Sequence, residues 1–227
     1  MANAKLNAAR AALRELPKHG TIGLGTGSTA SLFIHELSGL VKAGRRYVGV
    51  PTSEATRELA MSLGIPLLDG VGPWDIDVNV DGADEVSETF DLIKGGGGAH
   101  AREKIVNASA RCNVIVVDQR KLSTRLGEKF RVPIEVLRFG HGATASHLTR
   151  FGRPTLRVHD GVPVQTDGGN CIYDLAVAPI DDAKTLDEAL SAIPGVVETG
   201  LFVGRADVVL VGEETGTRRL VKVAPPS

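Results

Sequence analysis

The chain has 227 residues, enough for one large domain or two modest ones, and its 42% hydrophobic content supports a sizeable core and argues against disorder. A formal net charge of −1 and only 4% aromatic residues argue against a nucleic-acid partner, which calls for a basic surface and stacking platforms. No apolar run approaches the roughly 20 residues of a membrane span, no signal-type apolar core opens the chain, and Cys112 and Cys171 sit apart in apolar runs without a CxxC, so a soluble cytoplasmic protein is expected.

Leu6, Ala9, Leu13 and Leu16 follow helical spacing, and Pro17 and Gly20 close that helix. A short strand is expected at 21–24, then a glycine-rich turn, then a helix over about 30–42. Residues 46–50 read as a strand, and Ser53 can cap a helix reaching Met61. Residues 65–68 read as a short strand. Ile76, Val78 and Val80 alternate with Asp75, Asp77 and Asn79, a strand with one polar side. Residues 90–93 lead into a glycine run, a helix covers about 99–110, and 113–117 is an apolar strand. Alternating helices and strands of this kind give a parallel, doubly wound sheet.

The pattern changes near residue 130. A strand at 132–136 and a helix over about 142–151 come first. Strands at 155–158 and 162–165 flank Asp160-Gly161, a hairpin signal. A strand at 171–178, a helix at 186–193 and a strand at 196–201 complete a small α+β domain of ferredoxin-like type. An apolar strand at 206–211 and an alternating edge strand at 217–223 resemble the first part again. The expected division is therefore 1–129 plus 206–227, with 130–205 inserted.

Four strand ends carry chemistry. Gly25-Thr26-Gly27-Ser28-Thr29-Ala30 fits G-x-G-x-x-A, but no acid ends the next strand, as a dinucleotide fingerprint requires, and no G-K-[ST] follows. Hydroxyls beside free N–H groups at a helix start suit a single phosphate, and a plain strand-to-helix turn would look the same. Asp81-Gly82-Ala83-Asp84-Glu85 crowds three carboxylates, which raises at least one pKa for acid–base work unless the segment is only a solvated turn. No histidine lies near it in sequence, so no metal is expected. Lys94-Gly95-Gly96-Gly97-Gly98 sets a cation before a run of exposed peptide donors. Glu103 follows about one helical turn in, where its carboxylate can lean back over that run or simply complement the helix dipole. Lys121 follows the strand ending near Asp118. Parallel strands bring such ends to one edge, where ligands bind. With no redox fingerprint and no Ser or Cys nucleophile paired with a His, the chemistry left is proton transfer beside a carbonyl of a small phosphorylated molecule.

At these residues the chain resembles the A-type ribose-5-phosphate isomerase family. The matching segments are 25–29, 81–85, 94–97 running on to Arg102-Glu103-Lys104, Lys121 before Leu126-Gly127, and 193–202. The resemblance implies a Rossmann-like parallel-sheet domain with an inserted ferredoxin-like α+β domain. It also implies a homo-oligomer (dimer or tetramer), no cofactor, and interconversion of D-ribose 5-phosphate and D-ribulose 5-phosphate in the pentose phosphate pathway. By position, Glu103 resembles the general base, and Lys94 with the N–H groups of Gly95, Gly96 and Gly97 would stabilise a cis-enediolate. Asp81 and Asp84, with Gly82 and Ala83 between them, would hold sugar hydroxyls and assist ring opening. Thr26, Gly27, Ser28, Thr29 and Lys121 would bind substrate, chiefly its phosphate, and Lys5 is a further candidate for that contact. The chain departs from the family pattern at Gly98, at His100 and at Gln119-Arg120. Two other readings stay open: a non-catalytic sugar-phosphate sensor on a related fold, and a dinucleotide-dependent oxidoreductase resting on G-x-G-x-x-A alone.

Overall fold

A computed structural model describes residues 2–222. The chain opens with α1 (Ala2–Ala12), β1 (Gly20–Leu24), α2 (Ser28–Lys42), β2 (Tyr47–Pro51), α3 (Glu54–Ser62) and β3 (Val78–Asp81). Next come β4 (Glu85–Val86), β5 (Leu92–Ile93), α4 (His100–Ala108) and β6 (Asn113–Asp118). β7 (Val132–Val136), α5 (His141–Leu148), β8 (Arg153–Leu156), β9 (Val158–His159), β10 (Val162–Pro163), β11 (Cys171–Ala176), α6 (Ala183–Ser191) and β12 (Val196–Thr199) follow. The last strands are β13 (Leu201–Phe202), β14 (Val208–Glu213) and β15 (Gly216–Val221).

The chain divides into two units, one of Met1–Ala83, Arg102–Arg120 and Arg205–Ser227, the other of Asp84–Ala101 and Lys121–Gly204. The first holds a six-stranded sheet in the order β2-β1-β3-β6-β14-β15. Its first five strands are parallel and β15 pairs antiparallel at the edge. Every residue of β6 is buried, as expected of a parallel strand covered on both faces. Ile22, Leu24, Val78, Val80, Val114 and Val116 pack with Ala8, Ala9 and Ala12 of α1 and Phe33, Ile34 and Leu37 of α2. α4 brings Val106 to a smaller cluster with Val50 and Ile76. The strand order reverses between β1 and β3, so the turns after Leu24 and Asp81 lie at a topological switch point.

The second unit contains an antiparallel sheet in the order β12-β7-β11-β8. With α5 and α6 as crossovers this is the β-α-β-β-α-β arrangement expected for 130–205. Ile134, Val136, Leu148, Tyr173, Leu175, Leu190 and Ile193 form its core. The Asp160-Gly161 signal is realised as the β9–β10 turn, both residues having positive φ. β13, β5 and β4 form a separate three-stranded sheet in the same unit.

Some expectations differ from the observed elements. Residues 84–101 and 121–129 fall in the second unit, outside the expected insertion. The physical cause is the pairing of β4 and β5 with β13, reinforced by buried Glu85, whose carboxylate accepts from the N–H groups of Gly127, Lys129 and Phe130. Glu85 therefore serves the fold and opens a strand that the acidic turn concealed. Residues 65–68 make one bridge, Gly49 to Leu67, where Pro66 offers no N–H. The polar side of β3 is buried: Asn79 and Asp81 are both fully enclosed. α6 begins earlier than expected, capped by Asp182 on Thr185 N at 3.0 Å. Val223 lies outside the described residues.

Candidate active site

In the first unit the phosphate-type motif is a three-residue turn between β1 and α2. A Cβ on Gly25 would stand 2.6 Å from Asp81 Cα, so only glycine lets this turn lie against the end of β3. Thr26 N donates to Asp81 Oδ1 at 3.1 Å, and Gly82 N donates to the same oxygen at 2.7 Å. The fully buried carboxylate thus ties the two switch-point turns together, with Gly82 and Ala83 leading out of β3. Gly27 is the N-cap of α2 and brings no side chain to its N-terminus. Ser28 is exposed and Thr29 buried. Lys5 Nζ donates to Ser28 Oγ at 2.7 Å, so an ammonium group from α1 stands beside the first turn of α2. A cation and peptide donors together favour an anion there.

The Thr26 hydroxyl turns toward the start of α3. It lies 2.8 Å from Thr52 Oγ1, donates to Ser53 Oγ at 2.8 Å and lies 3.2 Å from Thr56 Oγ1. Thr56 Oγ1 in turn donates to Gly25 O at 3.0 Å. This hydroxyl cluster fastens the turn to the start of α3, while the Thr26 N–H fastens it to Asp81. Glu103 lies in the first turn of α4 with 3% of its surface exposed. Its neighbour Arg102 pairs with Glu54 at 2.9 Å, and Glu54 also pairs with Arg57. Hydrogen bonds from Arg102 and then Arg57 hold the Glu54 carboxyl below its usual range.

In the second unit Asp84, Gly96 and Lys121 come together. Gly96 N donates to Asp84 Oδ2 at 2.7 Å, and Lys121 Nζ lies 3.7 Å from Asp84 Oδ1. Lys121 also lies over the Phe130 ring at 5.7 Å. Lys94 is 3% exposed and its ammonium group sits 5.5 Å from the Phe202 ring centroid. The Gly95 to Gly98 segment is a turn closed by Gly98 N on Gly95 O at 3.0 Å, with Gly97 inside it. Gly98 has φ +80, which explains the fourth glycine; a Cβ there would also press on Ile172 Cδ1 at 3.1 Å. His100 is buried with its ring against Gly95.

Sequence reasoning missed Arg157, whose guanidinium bonds Asp174 and the carbonyls of Gly95 and Gly96. Strand pairing alone brings these residues together, and no local motif marks them. Among the described residues no cluster of three or more His, Cys, Asp or Glu could hold a metal ion, and no helix is long and apolar enough to cross a membrane.

A doubly wound parallel sheet, with glycine-rich and acidic turns at its strand ends, and a ferredoxin-like unit in the same chain define an α/β protein of the kind that binds small molecules at the ends of its parallel strands. A model of the family described as Ribose 5-phosphate isomerase A (phosphoriboisomerase A) matches residues 48–216. Ribose-5-phosphate isomerase A of Maricaulis maris is 46% identical over 224 residues, covering 94% of this chain and 96% of that protein. The solved structure of ribose 5-phosphate isomerase A from Methanocaldococcus jannaschii superposes with a TM-score of 0.92 at 42% identity, covering 97% of this chain and 99% of the other. A structure of D-ribose-5-phosphate isomerase in complex with phospho-erythronic acid gives 0.91 at 41% identity, covering 96% and 97%. The chain belongs to the ribose-5-phosphate isomerase A family.

Proposed function

We propose that this protein is an aldose–ketose isomerase that interconverts D-ribose 5-phosphate and D-ribulose 5-phosphate without a cofactor. The observation that carries the reading is the Lys94–Gly98 segment, in which a buried lysine precedes a glycine turn whose Gly96 N–H is held by Asp84. Such a group of donors suits an oxygen that gains negative charge during reaction. Asp81 and Asp84 hold the sugar hydroxyls and assist opening of the furanose, in which the C1 hydroxyl loses its proton and the ring oxygen gains one. Glu103 then removes the C2 proton of the open aldose, and the electron pair moves onto O1 to give a cis-enediolate. Lys94 and the N–H groups of Gly95 and Gly97 stabilise that charge, while the Gly96 N–H holds Asp84 in place. A proton passes from the C2 hydroxyl to O1, which leaves the charge on O2, and Glu103 returns its proton to C1 as C2=O2 forms, leaving the ketose. Gly27, Ser28 and Thr29 at the start of α2 take the phosphate, supported by Lys5, while Thr26, its N–H held by Asp81, fixes the turn beneath them; Lys121 binds substrate. On this reading the enzyme works in the cytoplasm as a homo-oligomer, without nucleic acid or membrane.

Incubation with ribose 5-phosphate in deuterated water tests the reaction. The expected result is ribulose 5-phosphate formation with deuterium gained on carbon, unchanged by a chelator. Binding without conversion or exchange would instead identify a sensor. Light scattering at a monomer mass would overturn the oligomer.

A further inference from the structure

Arg157 follows β8, and its N–H donates to Ile172 O on β11 at 2.8 Å. That register puts Asp174 diagonally across from it on the same face. The guanidinium forks onto the Asp174 carboxylate, with Nε on Oδ2 at 2.9 Å and Nη2 on Oδ1. Only 15% of the arginine side chain is exposed. Its remaining nitrogen, Nη1, donates to Gly95 O at 2.8 Å and to Gly96 O at 3.2 Å.

These carbonyls set the direction of the donors beyond them. A trans peptide holds its C=O and N–H antiparallel, and the one cis peptide among the described residues is Gly72–Pro73. Because both carbonyls turn toward the same Nη1, the N–H groups of Gly96 and Gly97 both turn away from it. The first already meets Asp84. Gly95 O also accepts from Gly98 N within the turn at 3.0 Å, and on a glycine backbone free to rotate, Arg157 adds the anchor at Gly96 O.

We propose that Arg157, braced by Asp174, is a positioning residue that fixes the Gly95–Gly96 and Gly96–Gly97 peptide planes, so that the Gly96 N–H holds Asp84 and the Gly97 N–H is aimed at the enediolate oxygen. The proposal rests on the isomerase reading above. Lysine cannot take the role, because only the planar fork binds a carboxylate twice and keeps a donor for the carbonyls. A pair that merely fastened β8 to β11 would affect stability alone.

Arg157→Ala, Arg157→Lys and Asp174→Asn separate the two roles. Displaced donors should lower kcat about 10²-fold in Arg157→Ala while KM moves by no more than about 3-fold. Added guanidinium should restore part of that rate. Inhibition by 4-phospho-erythronate, whose carboxylate mimics the enediolate, should weaken in parallel with kcat, while inhibition by ribitol 5-phosphate should not. Retained kcat with a lowered melting temperature, or equal weakening of both inhibitors, would overturn the proposal. Glu103→Gln serves as the separate control: full turnover in that variant would remove the isomerase site itself, whereas its loss beside an active Arg157→Ala removes only the positioning role.

Discussion

Glu103 and Lys94 are both almost wholly withdrawn from water, each with 3% of its surface exposed. Charged side chains are seldom enclosed without a task or a partner, because desolvation disfavours the charged form. Glu103→Gln keeps the shape of the side chain and removes the base, so kcat for ribose 5-phosphate should fall by roughly 10²–10⁴-fold. Turnover near wild type in a coupled assay would exclude Glu103 as the base. Lys94 poses a different question, since an ammonium that serves only the intermediate leaves substrate affinity nearly intact. Lys94→Ala should therefore lower kcat far more than it raises KM. A change confined to KM would make Lys94 a substrate ligand instead.

At the scale of elements, the start of α3 shows what local sequence discloses and what it conceals. Ser53 is legible as an N-cap, and its Oγ accepts from Thr56 N at 3.1 Å. Its second task is not legible, because the Thr26 hydroxyl reaches it only through the β1–β2 pairing. Ser53→Ala should cost about 1–2 kcal/mol in urea denaturation, more than a solvent-exposed cap, since it also strips a bond from Thr26. The same variant should weaken phosphate binding if the cluster holds the turn in place; unchanged KM would show that the turn is rigid without it. The long strands and helices were readable because burial imposes a period on them, and so was the G-x-G turn. β4 was not readable: Glu85 is an acid inside a strand, stabilised by three N–H groups from residues more than 40 positions away. Arg157 and Asp174 were hidden for the same reason, as was the turning of the Thr26 hydroxyl toward α3. Site residues next to glycines announce themselves in sequence, whereas those that act through pairing between distant strands do not.

At the scale of the whole chain, the first unit is assembled from three separate stretches, and its two outer ones meet at β15. That strand is the sheet's edge, and its Arg218 and Arg219 supply the charges that discourage further strand pairing. Arg219 also forks onto Glu15, with Nε on Oε1 at 2.8 Å and Nη2 on Oε2 at 3.0 Å, joining the turn after α1 to a strand 204 residues later. The hydrogen bond from Arg219 leads the effects that hold the Glu15 carboxyl below its ordinary value of 4.5. A carboxylate whose pKa is depressed by folding contributes stability that is fully present above its unfolded pKa. That contribution is lost as the pH falls through the lower, folded value. Glu15→Gln removes the titration, so urea midpoints of wild type and variant should differ at neutral pH and converge as the pH drops below about 4.5. Half of the Arg219 side chain is exposed, so added salt should shrink the neutral-pH difference. A gap between the two proteins that stays constant from neutral to acid pH would mean that Glu15 acts through packing rather than through its charge.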